Sequence, residues 1–182
     1  DDNSYILDDA IETLSNISKN QINFLGFLTA IRNLTINITY QGEDFNCRNL
    51  VSMLNQKGLQ QDEIEKIKNL SFTEYLKGLN TLTEYFLSLY PASVDVDYLA
   101  SKGLIFTETK SFTLKSTDLI LQNLYGTENF ENLEKNLDIL VPRLSMLLNH
   151  YGVKSVDELP AYSSKGLIIG NIIFNKFLKN PL

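Results

Sequence analysis

Histidine and cysteine occur once each in this chain of 182 residues, tryptophan not at all, and proline only four times. A lone Cys47 cannot close an intramolecular disulfide. A zinc site would have to combine Cys47, His150 and carboxylates at none of the usual close ligand spacings. Neither metal nor cofactor is therefore expected. No glycine pattern resembles a phosphate-binding loop or a dinucleotide fingerprint, and no glycine-flanked serine elbow is present for His150 to serve as base. The acidic pairs Asp8-Asp9, Glu43-Asp44, Asp62-Glu63 and Asp157-Glu158 read as solvated faces or charges at helix starts. The chemical vocabulary is that of a binding protein, and no catalytic residue is assigned.

Long apolar runs are also missing. The most apolar stretch, 166–177, is broken by Gly170, Asn171, Asn175 and Lys176, so it reads as a buried helix and no membrane span is expected. The formal net charge of −6 disfavours attraction to nucleic-acid phosphates or anionic lipid, and a partner with a basic surface is the easier fit. Asp1-Asp2-Asn3 opens the chain without methionine, which is expected where a signal peptide or other upstream residues have been removed; the compartment stays open. Sequons at Asn16, Asn33, Asn37 and Asn69 fall largely within helical or strand patterns, where glycans fit poorly.

What is present is 43% hydrophobic residues in strongly periodic order. Tyr5, Leu7, Ala10, Ile11, Leu14 and Ile17 predict an amphipathic first helix. Asn20 is expected to cap a second, nearly uncharged and central helix with Phe24, Phe27, Leu28, Ile31 and Leu34. Residues 34–40 alternate apolar and polar as a strand does, and Gln41-Gly42 turns the chain. Helices are predicted over 45–57, 60–70 and 72–89, the last stopped by Pro91. Of four Lys-Gly-Leu triplets, those at Gly58, Gly103 and Gly166 read as left-handed helix stops, and periodicity runs through Gly78. Residues 104–115 suggest a small hairpin, followed by helices over 118–125 and 128–149, with Pro142 bending or dividing the second. A short helical turn over 155–159 and a last helix over 163–178 complete the chain. The expected fold is mainly α, with about seven to nine helices in a single domain over 1–182. A small hairpin near 104–115, a possible short strand at 34–40 and a possible subdivision near residue 91 go with it.

Two patterns resemble known families. Arg143 and His150, seven positions apart on one helix, resemble the Arg-to-His pattern of the all-helical HEPN nucleases, which implies RNA cleavage with arginine on phosphate and histidine moving a proton. Leu144 replaces the polar residue that usually follows that arginine, and Pro142 stands just before it. Residues 93–125, a helix ending in Ala100-Ser101-Lys102-Gly103, then a hairpin and a helix, are similar to the recognition helix and wing of winged-helix domains. That family binds DNA or, in acidic members, protein. Asp95 and Asp97 stand where basic or amide side chains would meet DNA.

Tyr75, Tyr85, Phe86, Tyr90 and Tyr98, with Phe106, are the candidate binding residues. As a cluster they could line a groove for an apolar helix or peptide, the ordinary alternative being a core of Phe and Leu with tyrosine hydroxyls at its edge. The expected function is a non-enzymatic protein-interaction module, an adaptor, inhibitor or immunity-type antagonist of a basic partner, with no nucleic acid bound. The helical ribonuclease and the acidic winged-helix domain stand as alternatives, and oligomeric state is not set by the sequence.

Overall fold

A computed structural model describes residues 2–47, 50–106, 140–154 and 156–179. Within them the chain is a mainly α single domain with seven α-helices and two small antiparallel pairs of strands. After α1 (Asp2–Leu14), the second helix α2 (Lys19–Asn33) starts at Ser18 rather than at the expected Asn20. The Ser18 hydroxyl accepts from the Gln21 amide at 3.2 Å, and the Gln21 side chain accepts from the Ser18 amide at 2.7 Å, so two orphan donors are satisfied reciprocally. From Asn23 to Ile31 every residue of α2 is buried, which makes it the central helix that its lack of charge predicts.

The alternation at 34–40 ends in β1 (Asn37–Tyr40), which pairs with β2 (Glu43–Asn46) through Gln41 and Gly42 at φ 52° and 84°. Positive φ at both positions makes a two-residue turn whose twist matches the strands. Ile38 and Phe45 face the core, while Thr39 donates to Asp44 and Asn46 to Asn37 across the exposed face, each at 2.7 Å. The helix expected from residue 45 therefore begins later, as α3 (Leu50–Lys57), and Gly58 stops it at φ 61°.

The two helices expected over 60–89 are one, α4 (Gln61–Ser88), 28 residues and so about 42 Å long. Ile67, Ser71, Phe72, Tyr75, Leu79, Leu82 and Phe86 run along its buried face without a break. Helix α5 (Val96–Ser101) is capped by Asp95, whose carboxylate accepts from the Tyr98 amide at 2.8 Å, and Gly103 ends it at φ 67°. Of the hairpin expected near 104–115, residues 107–115 lie outside the described residues. Its first strand, β3 (Ile105–Phe106), pairs with β4 (Ala161–Tyr162), Ile105 opposite Tyr162 and Phe106 opposite Ala161. The helix expected over 118–125 and the start of that over 128–149 also lie outside the described residues. Pro142 divides the latter by standing at the first position of α6 (Pro142–Tyr151), where its missing amide costs nothing, and Gly152 closes α6 at φ 82°.

A 3-10 turn (Val156–Glu158) leads to α7 (Ser164–Lys179). Gly166 is not a stop but lies in the first turn of α7. Ser163 caps this helix by accepting from the Gly166 amide at 3.0 Å, and a side chain at 166 would collide with the Leu104 carbonyl. Helix α7 lies antiparallel to α2. Tyr162, just before α7, meets Asn33 at the end of α2, Gly170 meets Leu25 and Thr29, and Ile173 meets Gly26. Glycines at 26 and 170 permit this close approach. Helix α1 packs on α7, and α4 packs on α2 and α6. Phe24, Phe27, Phe86 and Tyr151 join α2, α4 and α6, with ring centroids 5.0–5.6 Å apart.

Candidate functional site

The five aromatic candidates do not form one exposed groove. Tyr75 and Phe86 are 0% exposed, because both lie on the buried face of α4, so these two are corrected from surface to core. Tyr85, one residue from Phe86 and therefore about 100° around the helix, sits at the edge of the core in edge-to-face contact with Phe86 and Phe177. Burial raises its pKa above the ordinary tyrosine value. Tyr98 is half-buried. Its hydroxyl donates to the Asn16 carbonyl at 2.9 Å, and the Lys102 ammonium lies 5.3 Å from its ring centroid. Phe106, at the end of β3, is exposed.

Tyr90 is the exception among them. Its ring is 91% exposed, and its backbone takes φ 56°, the left-handed region that a bulky side chain rarely enters. The left-handed residues after α3, α5 and α6 are Gly58, Gly103 and Gly152; after α4 it is Tyr90. The turn is fastened from outside. Tyr90 donates its amide to the Leu87 carbonyl at 3.1 Å, and Pro91 fixes the next φ. Asn20, on α2, holds the following peptide at both ends: its amide donates to the Ala92 carbonyl at 2.6 Å, and its oxygen accepts from the Ala92 amide at 3.0 Å. Val94 then donates to the Tyr151 carbonyl at 3.2 Å. The possible subdivision near residue 91 is thus crossed by the two hydrogen bonds of Asn20.

A sequence signal for this turn exists: no glycine separates the periodic residues of α4 from Pro91, so some other residue must make the turn. The role of Asn20 carries no such signal, since it acts on residues 72 positions away.

Arg143 and His150 both lie on α6 and both are exposed. Arg143 is paired with Glu84 of α4 at 2.5 Å, an exposed ion pair that ties the two helices. The winged-helix candidate meets a six-residue α5 whose start presents Asp95, engaged as the cap, and exposed Asp97, followed by a strand that pairs with 161–162. Residues 107–125 of that resemblance lie outside the described residues. Cys47 is buried, its sulfur accepting from the Ile36 amide at 3.3 Å and its own amide donating back to Ile36 at 3.0 Å, so it closes the hairpin. Among the described residues no three His, Cys, Asp or Glu side chains come together as metal ligands, and no helix is long and apolar enough to cross a membrane. Arg32 stacks on the Tyr162 ring at 4.6 Å, where desolvation pulls the guanidinium pKa down against the opposing effect of Tyr162. Of the sequon asparagines, Asn33 is half-buried, with its side-chain amide donated to the Thr29 carbonyl and the Tyr162 hydroxyl.

Compared with models of known protein families, with curated proteins and with solved structures, the chain matches none of them.

Proposed function

We propose that the protein is a non-enzymatic helical module that binds another protein, with Tyr90 as a side chain presented to that partner. The strained turn at Tyr90 carries this reading. A left-handed conformation costs a non-glycine residue about 1–2 kcal/mol, and a ring left 91% exposed recovers almost none of that by packing within the chain. Asn20 and Pro91 hold the turn in place, so the strain is imposed by the surrounding structure. Tyrosine suits the role, because a rigid ring with a polar tip gives a large contact area at small entropic cost. The net charge of −6 favours a partner with a basic surface, by steering encounter and by repelling other acidic proteins. An adaptor, an inhibitor or an immunity-type antagonist would each use such a surface.

Affinity capture from the source cells tests this with three proteins, wild type, Tyr90→Gly and Arg143→Ala/His150→Ala, recording bound protein and RNA together. The expected result is a stoichiometric protein partner retained by wild type and by the double variant, and lost with Tyr90→Gly while that variant stays folded. RNA captured or degraded by wild type and not by the double variant would replace this function with that of a helical ribonuclease.

A further inference from the structure

The acidity of this chain is concentrated in one place. Residues 1–18 hold five acids, Asp1, Asp2, Asp8, Asp9 and Glu12, and no lysine or arginine, which leaves seventeen acids against sixteen bases in the other 164 residues. These eighteen residues therefore carry nearly the whole net charge, and four of the five acids lie on helix α1. It also bears exposed apolar side chains: Tyr5 at 76%, Leu7 at 48% and Ile11 at 57%.

Helical geometry sorts these residues. Ala10 and Thr13 lie on the buried face, and Ile17 is buried just beyond the end of the helix. Asp9, beside that face, is used within the chain, 3.1 Å from the Lys165 ammonium of α7. On the outer side Leu7 and Ile11, four apart, make an apolar row, and Asp8 and Glu12, also four apart, make an acidic row next to it with Tyr5 at its end. Among the described residues neither Asp8 nor Glu12 forms a salt bridge.

We infer that the outer face of α1 is the docking surface for a basic amphipathic helix of the partner protein. Its aliphatic side chains would lie on Leu7 and Ile11, and its lysines or arginines on Asp8 and Glu12. Parallel apolar and acidic rows are the complement of a helix with an apolar stripe flanked by cations. Neither row alone would select that occupant: the aliphatic row would accept any apolar stripe, and the carboxylates any cation. The inference rests on the protein-binding function proposed above and locates the contact that gives the partner its charge.

The test uses the full chain and a labelled synthetic Leu/Lys amphipathic helix of about 18 residues, long enough to fold on contact. A matched peptide has glutamate at every lysine, and anisotropy is read across a salt series. Wild type should bind the lysine peptide and not the glutamate one. Leu7→Ser/Ile11→Ser should weaken binding about tenfold or more, and Asp8→Asn/Glu12→Gln should flatten its salt dependence. Asp62→Asn/Glu65→Gln, which removes the same charge from exposed positions of α4, should change affinity by less than about twofold. Binding that ignores the α1 variants but is lost with Tyr90→Gly would overturn the α1 site and leave the binding function standing; no binding of the lysine peptide would overturn the basic partner as well. Two further results would assign the face to another occupant and overturn the inference. One is a wild-type dimer in sedimentation that Leu7→Ser/Ile11→Ser dissolves. The other is a fall of more than about 5 °C in the melting temperature of that variant, which would mean that the chain itself already covers the face.

Discussion

Gly170 lies directly against Thr29, where α7 crosses α2. A methyl group built on Gly170 would stand 2.1 Å from the Thr29 hydroxyl oxygen and 2.5 Å from the Leu25 carbonyl oxygen. Helix propensity alone would favour alanine by about 1 kcal/mol. The clash opposes it, and backbone cannot step aside as a flexible side chain can. Gly170→Ala should therefore destabilise the fold by about 3 kcal/mol, the upper end of overpacking costs. Thr29→Ala should not rescue it, because the Leu25 carbonyl remains. Chemical denaturation of the two single variants and the double variant checks both statements.

Tyr151 gives the fold an alkaline limit. Its side chain is 0% exposed and its hydroxyl finds no hydrogen-bond partner among the described residues, so burial pushes its pKa well above the ordinary tyrosine value near 10. A raised folded-state pKa means that the native protein keeps the proton which the unfolded chain releases. Stability is therefore undiminished below pH 10 and falls above it, by about 1.4 kcal/mol per pH unit from this one group. Tyr151→Phe removes that slope and the unpaired hydroxyl together. The variant should match wild type within about 1 kcal/mol at pH 7 and exceed it by more than that at pH 11, read from urea midpoints at the two pH values.

Periodicity made most of the helices legible, because each buries one stripe and three-to-four spacing reports that stripe directly. Boundaries failed where burial and composition diverge. Charged residues 61–69 and apolar residues 72–89 look like two helices, yet the buried face passes through Ser71, a small polar residue that does not show as part of an apolar stripe. Gly166 looked like a stop because Lys-Gly-Leu says nothing about whether the glycine needs a positive φ or close approach; here it needs the latter. Among the candidate binding residues, nearness in sequence gathered Tyr75, Tyr85, Phe86 and Tyr90. Position around α4 and the turn at its end then separated them into core, edge and surface. The strain at Tyr90 is a backbone angle, and it depends on a clasp from Asn20 that no local pattern announces.

That clasp should be measurable apart from binding. Asn20→Ala removes a donor and an acceptor that hold Ala92, and should cost about 2 kcal/mol. Asn20→Asp keeps the acceptor for the Ala92 amide but sets a carboxylate against the Ala92 carbonyl, so it should cost at least as much. Tyr90→Gly should instead stabilise by about 0.5–1 kcal/mol, because the relief of left-handed strain exceeds the extra entropy of glycine in the unfolded chain. Thermal melts of the three variants order them. A Tyr90→Gly protein less stable than wild type would mean that the exposed ring contributes to the fold and would remove the argument for its presentation to a partner.

Gly78, in the middle of α4, offers the converse of Gly170. A methyl group there would meet the tip of the Ile36 side chain, Cδ1 at 2.8 Å, rather than backbone. The helix gains about 1 kcal/mol from alanine, while Ile36 must swing its terminal carbon away from a packed position, at a cost of about the same size. Gly78→Ala should thus leave stability within about 0.5 kcal/mol of wild type. In an Ile36→Val background, where Cδ1 is absent, the same substitution should stabilise by about 1 kcal/mol. A double-mutant cycle by urea denaturation isolates the coupling. If Gly78→Ala is strongly destabilising in both backgrounds, Ile36 Cγ1, which would stand 3.4 Å from the new methyl and is retained in valine, is the contact that cannot yield, and Cδ1 alone is not what requires glycine in α4.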